Sequence, residues 1–217
     1  MYIKTSDQEK LKLGIGNYSC NWGVHICGLY ENDKERDEII FGFLCQGFNT
    51  GDFLIHCASE RSAEDFYRDL GESCPACKHK IHDPDQITIT TAKELYYPNG
   101  KLDLYQMDKA LDEIFTQTQV NGKRNVRVTA EMAWALEAIL GIDQLMAYEA
   151  RLNYFITGKP WVSICLYNVN MFNGATIMNV LQTHPYVING GVITQNPYYV
   201  HPDKWLAEHA PQYLTKN

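Results

Sequence analysis

No run of apolar residues in this 217-residue chain approaches the ~20 needed to span a bilayer, so no membrane partner is expected. A basic surplus is missing too. Nineteen Lys and Arg stand against 26 Asp and Glu, and the net charge of −7 argues against nucleic acid as a main partner, because such domains usually carry a basic stripe. There are no repeats, low-complexity tracts or Pro/Ser-rich linkers, which points to a single domain over residues 1–217. The opening MYIKTSDQEKLKLG lacks the apolar core of a signal peptide, so a cytoplasmic address is expected. Seven cysteines cannot all pair, and the chain is no small secreted domain. Thiols in a reducing compartment are therefore expected in place of a disulfide framework.

Apolar residues make up 45% of the chain and charged ones 21%, ordinary values for a globular domain long enough to bury a sizeable core. Periods of two and of 3.6 residues alternate along it. Val24–Leu29 reads as a strand. Ile40, Phe43, Leu44, Gly47 and Phe48 mark one face of a helix that Asn49-Thr50-Gly51 ends. Asp52–Ala58 is a buried-type strand, and Ser62-x-x-Asp65 opens a helix that Gly71 stops. After a cysteine-bearing loop over 72–86 come a strand at Gln86–Thr91 and a helix on Leu104, Met107, Leu111, Ile114 and Phe115. A strand at Asn125–Thr129 and a helix over 131–157, with a break at Gly141, follow. Trp161–Tyr167 is a strand, Gly174–Thr183 a helix and Val187–Thr194 a final strand, beyond which Pro197 and Pro202 mark an irregular end. Strands and helices alternating at this spacing define an α/β fold, a mostly parallel sheet with helices on both faces.

Strand, loop, long helix, Asn-Thr-Gly-Asp, strand, Ser-Glu resembles the frame of RecA/KaiC-like P-loop ATPases. In that frame the loop reads G-x-x-x-x-G-K-[ST], with backbone amides and a Lys cradling phosphate. Gly28 is present here, but no second Gly and no Lys-Ser/Thr pair follow. Glu31, Asp33, Glu35, Asp37 and Glu38 crowd the same turn and would repel a triphosphate. The strand at Asn125–Thr129 also lacks a terminal Asp to hold magnesium. The P-loop is thus degenerate, and neither ATP hydrolysis nor stabilisation by Mg-ATP is expected.

Five stretches in order resemble the MEDS domain, the methanogen/methylotroph sensory domain of DcmR type. They are Trp22-Gly23-x-His25-Ile26-Cys27-x-x-Tyr30, Arg127-Val128-Thr129-Ala130-Glu131-Met132-x-Trp134, Tyr148-Glu149-x-x-Leu152-Asn153, Cys165-Leu166-Tyr167 and His184-Pro185-Tyr186-Val187-Ile188. The resemblance implies a sensor of simple hydrocarbon derivatives. Members often carry DNA-binding, kinase or STAS modules. None is visible here, so the output is expected to go to a separate signalling protein, with a homodimer left open.

Ligands of open α/β sheets bind beyond the carboxyl ends of the strands. His25 and Cys27 lie two apart and point the same way. With the strand order that the resemblance implies, Cys165 and Tyr167 approach them, while Tyr30, Arg127, Thr129 and Glu131 form the rim of a ligand crevice. Glu149 lies in the stripe Leu145, Glu149, Leu152, Ile156. It serves either as a polar group facing that crevice or as a brace paired with an Arg, since a buried lone carboxylate is costly. Cys20, Cys45, Cys57 and Cys165 each also read as plain core filling.

A second cluster, Cys74-Pro75-Ala76-Cys77-Lys78-His79-Lys80-Ile81-His82, has the C-x2-C spacing of a zinc chelate with His79 and His82 close behind. A redox pair at Cys74/Cys77 and an incidental polar excursion stand beside the zinc reading. No other cofactor is indicated. Three functions follow: a non-enzymatic sensor of a one-carbon or methylated compound, a metal- or redox-responsive regulator, or an enzyme with Cys27 as nucleophile and His25 as base. The family resemblance and the lost phosphate loop favour the first.

Overall fold

The computed structural model describes residues 10–59, 61–97, 100, 102–120, 122, 124–136 and 142–214. A short hairpin of β1 (Leu11–Lys12) and β2 (Ser19–Cys20) comes first. It is followed by β3 (Val24–Tyr30), α1 (Asp33–Thr50), β4 (Phe53–Ala58), α2 (Ala63–Ser73), β5 (Ile87–Thr91), α3 (Ala92–Tyr96) and α4 (Leu104–Val120). Then come β6 (Val126–Glu131), α5 (Ile142–Ile156), β7 (Trp161–Asn168), α6 (Gly174–Thr183), β8 (Tyr186–Asn189), β9 (Val192–Gln195) and α7 (Pro202–His209). The main sheet runs β5-β4-β6-β7-β3-β8-β9 and is parallel except for the last pair. Thus β7 lies beside β3 and β6 one further out, as expected.

Each face of the sheet has its own core. On one, α1 and α2 bring Ile40, Phe43, Leu44, Phe66 and Leu70 against Ile26, Leu54, Val162 and Ile164. On the other, α4, α5 and α7 bring Leu111, Leu145, Ile156 and Trp205 against Cys27, Cys57, Ala130 and Cys165. The second face has a row of small residues where the strands run level. Cys57 pairs with Ala130, Ala130 with Cys165, Cys165 with Cys27 and Cys27 with Val187.

Several elements differ from the sequence expectation. The final strand is two strands, because Gly190 and Gly191 (φ +55° and +72°) form the two-residue turn of a hairpin that needs positive φ twice. The stretch from Glu131 is not helical at its start. The Met132 amide donates to the Leu166 carbonyl (3.0 Å), which prolongs the ladder with β7, and a 3-10 turn follows at Ala133–Leu136. The expected break at Gly141 lies outside the described residues. Helix α2 runs past Gly71, where a Cβ would meet Ile81 Cδ1 at 3.1 Å. Pro202 begins a helix instead of an irregular end, since proline suits the first helical position. Helix α3 opens on a Thr91/Glu94 capping box, a start signal present in the sequence itself.

The acidic turn acts as a cap. Asn32 Oδ1 accepts from the Glu35 amide (3.1 Å), and Glu35 Oε2 accepts from the Glu31 amide (2.9 Å). Those amides, at the place where a P-loop would offer its own to phosphate, are already bonded. Asp37 and Asp33 hold Arg36, and Asp37 also takes Arg61 at 2.7 Å.

The β1–β2 hairpin closes the face beside α1 through contact between two backbones. A Cβ on Gly42 of α1 would lie 2.5 Å from the Gly14 carbonyl oxygen, and Gly14 itself has φ +79°. Gly42→Ala would gain up to about 1 kcal/mol of helix propensity. Forcing the hairpin off the helix should cost more, for a net loss of about 1–3 kcal/mol. Urea denaturation measures it; a stabilised variant would show that the hairpin gives way freely.

Candidate functional site

Directly paired residues of neighbouring strands share a face, as do alternate residues of one strand, whereas successive residues of a strand do not. His25 and Cys27 therefore face α5, together with Cys165, which pairs with Cys27, and Tyr167, which pairs with Leu29. Tyr30, Arg127 and Glu131 face the opposite way. Tyr30 packs in the α1 core, and Arg127 and Glu131 lie one residue either side of positions that share Cys165's face. The expected crevice thus divides into separate clusters, and the α5-side cluster lies within the core. His25 is 1% exposed and Cys27 wholly buried.

Glu149 is the centre of the α5-side cluster. The third turn of α5 carries its carboxylate over β3 and β7, where it is wholly buried. Oε1 accepts a hydrogen bond from the Tyr167 hydroxyl (2.7 Å). Oε2 lies 3.2 Å from His25 Nε2 and 3.4 Å from His184 Nε2, but neither contact has hydrogen-bond geometry. His25 Nε2 is also 3.3 Å from Cys165 Sγ. The two imidazole rings lie 3.9 Å apart, tilted by 42°. The other nitrogen of His184, Nδ1, is 2.7 Å from the Val180 carbonyl, which can only accept, so Nδ1 bears the proton. In the neutral ring the Nε2 lone pair then points at the carboxylate.

Among the described residues, the ligand atoms of His25, Glu149, Cys165 and His184 are the one set of three or more His, Cys, Asp or Glu to converge, all within 4.8 Å. Burial, and then His184 alongside, lower the His25 pKa to about 4. Burial pushes Glu149 upward, but its contacts with His184 and His25 outweigh this and hold the carboxyl below its usual range. Burial and then Glu149 hold the Cys165 thiol well above its usual value. Sequence reasoning missed His184. Its signal was a place directly after α6, as that helix's C-cap, and two residues before a strand that pairs with β3.

The remaining expected residues have other work. Cys27 Sγ donates to the Tyr186 carbonyl (3.6 Å) instead of to His25, and burial raises its pKa, which disfavours the thiolate that a nucleophile needs. Arg127 braces the far, N-terminal end of the sheet through Asp52 (2.7 Å). Glu131 faces His56 at 3.5 Å on the α1 face. Cys74 and Cys77 are buried and, with Cys45 of α1, form a chain of thiol contacts. His79 and His82 do not join them: both are exposed, and His82 lies against Tyr67 with ring centroids 4.6 Å apart. Burial raises the Cys77 pKa to about 11 and those of Cys74 and Cys45 as well, so these are thiols at neutral pH. No helix among the described residues is long and apolar enough to cross a membrane.

Sheet order and helical layers define a RecA-like α/β domain. The chain resembles the flagellar accessory protein FlaH from Methanocaldococcus jannaschii, with a TM-score of 0.53 and 14% identity over 88% of this chain and 83% of that one. Within that class it belongs to the MEDS family, the methanogen/methylotroph, DcmR sensory domain, whose model matches residues 24–185. The transcriptional repressor DcmR of Methylorubrum extorquens is 25% identical over 180 residues. The match covers 82% of this chain and 64% of that repressor. A sensory, signalling role follows from the family.

Proposed function

We propose that this chain is a non-enzymatic input domain that reads a small hydrocarbon derivative, a one-carbon or methylated compound, at the cluster around Glu149. The observation that carries this reading is a cavity of about 20 Å3 lined by Tyr96, Tyr148, Trp161 and Cys165, the last being one of the four buried and convergent polar side chains. A space of that size holds little more than one water-sized group. A ligand that enters without rearrangement is therefore very small, and its walls are aromatic and aliphatic. Burying about 120 Å2 of apolar area at ~25 cal/mol per Å2 contributes about 3 kcal/mol before association costs, so binding is weak unless a directed bond is added. The match to a transcriptional repressor supports gene expression as the eventual output, reached through a separate signalling protein or a separate segment.

Thermal unfolding in a panel of dichloromethane, methanol and methylamines tests this. At about ten times Kd, one member should raise Tm by roughly 3–5 °C, and Mg-ATP should raise it not at all. A shift with Mg-ATP that disappears on mutating the turn from Glu31 to Glu38 would restore a nucleotide-binding role. Silence across the one-carbon panel counts against this ligand class.

A further inference from the structure

We propose that His25, Glu149, Cys165 and His184 form a tetrahedral site for a divalent transition-metal ion, with zinc favoured by the donor set. Bonds of about 2.0 Å to nitrogen and oxygen and 2.3 Å to sulfur place the donors of a tetrahedral zinc roughly 3.3–3.6 Å apart. Three of the separations here are 3.2, 3.3 and 3.4 Å. With the proton of neutral His184 on Nδ1, its Nε2 meets the Glu149 carboxylate lone pair to lone pair. Glu149 Oε2 and His184 Nε2 are buried, close and without a hydrogen-bond partner, an arrangement that repels unless a cation lies between them.

The surroundings also fit. A metal-ligating imidazole commonly donates its other N–H to a backbone carbonyl, as His184 Nδ1 does to Val180. The Tyr167 hydroxyl fixes the carboxylate in the same way by donating to Oε1. On entry of the ion the Cys165 thiol loses its proton to solvent, and the thiolate and the Glu149 carboxylate together balance the 2+ charge. A neutral centre can then stay in a core that would not tolerate an unpaired ion. No electrons are transferred.

The proposal deepens the sensory reading by naming what the cluster holds, but its readout is the ion alone. Protein prepared without chelator is analysed for metal. The stripped protein is then titrated with Zn2+ and with Co2+, whose visible spectrum reports tetrahedral geometry and whose near-ultraviolet band reports a thiolate ligand. One equivalent should bind. Glu149→Gln, near-isosteric and still able to accept from Tyr167, and His184→Ala should weaken binding more than about 100-fold, and Tyr167→Phe about 10-fold. Cys165→Ser should remove the thiolate band, and Cys74→Ser/Cys77→Ser should leave it intact. Circular dichroism checks that each variant is folded. Wild-type protein that takes up no ion overturns the proposal, as does binding that survives in Cys165→Ser but is lost in Cys74→Ser/Cys77→Ser. Stoichiometric cobalt in a protein deaf to the one-carbon panel supports the metal site while removing the ligand reading, and the reverse result overturns the metal site alone.

Discussion

Arg127→Leu should destabilise the domain by about 3–5 kcal/mol, roughly 10 °C in Tm for a chain of this size, without altering what the Glu149 cluster binds. The guanidinium is wholly buried. Its Nε donates to Asp52 Oδ2 (2.7 Å) and its Nη2 to the Lys12 carbonyl (2.9 Å). It also lies 4.9 Å from the centre of the Phe43 ring. Asp52 in turn accepts from Thr50 Oγ1 (2.6 Å) and Asn125 Nδ2 (3.0 Å), so one ion pair ties the hairpin, the end of α1 and the starts of β4 and β6 together. Gly47 belongs to the same arrangement, because a Cβ there would come within 2.8 Å of Arg127 Cδ. Taking the cation away leaves a buried carboxylate without its countercharge, which costs more than the lost contacts themselves. Adding Asp52→Asn to Arg127→Leu should therefore recover part of the loss. Denaturant melts of the single and double variants measure this. A single variant within 1 kcal/mol of wild type would mean that water reaches Asp52.

That Arg127 is held as a brace, on the face away from His25 and Cys27, shows what the sequence could and could not tell. Strand–helix alternation and the relation of β3 to β7 were legible because both are written in local periodicity and a known frame. The period-two rule correctly paired His25 with Cys27. Applied to every strand, it would have sent Tyr30 to the opposite face as well. For Arg127 and Glu131 the deciding fact is the register Ala130 to Cys165, a non-local pairing that no spacing within either strand encodes. Glu149 was legible as a carboxylate that needs a partner, but its partners are two imidazoles and a phenol from separate strands and turns. The C-x2-C spacing named two thiols correctly as neighbours. It could not name Cys45, which approaches across the packing of α1 on α2. Gly190-Gly191, by contrast, was plain hairpin chemistry inside an apolar run.

The second large effect is a loss of stability on mild acidification, to which His56 contributes alongside the buried His25. The His56 imidazole is wholly buried in β4, stacked on Phe66 of α2 at 4.0 Å, with Nδ1 2.9 Å from Thr129 Oγ1 of β6. The charged groups around it are Glu131 of β6 at 3.5 Å, Arg36 of α1 and Arg61 just before α2, both arginines being held by Asp37. Burial first, and then the two arginines, lower the His56 pKa from 6.5 despite the carboxylate opposite. Burial alone would raise the Glu131 pKa, but His56, Arg36 and Arg61 bring it below its usual value. Both shifts have the same consequence. Where a folded-state pKa is depressed, the unfolded chain binds more protons at intermediate pH, so stability is full above the unfolded pKa and falls as pH drops towards the folded one. For His56 the loss should begin near pH 6.5, with a slope of up to about 1.4 kcal/mol per pH unit, and Glu131 should extend it below pH 4.5. His56→Asn keeps a polar atom for Thr129 and cannot titrate. Its stability should depend on pH less steeply between pH 6.5 and 5 than that of wild type, by up to one proton's worth, whatever its absolute stability. Parallel curves for the two proteins over that range would show that His56 is protonated in the folded state as readily as in the unfolded chain.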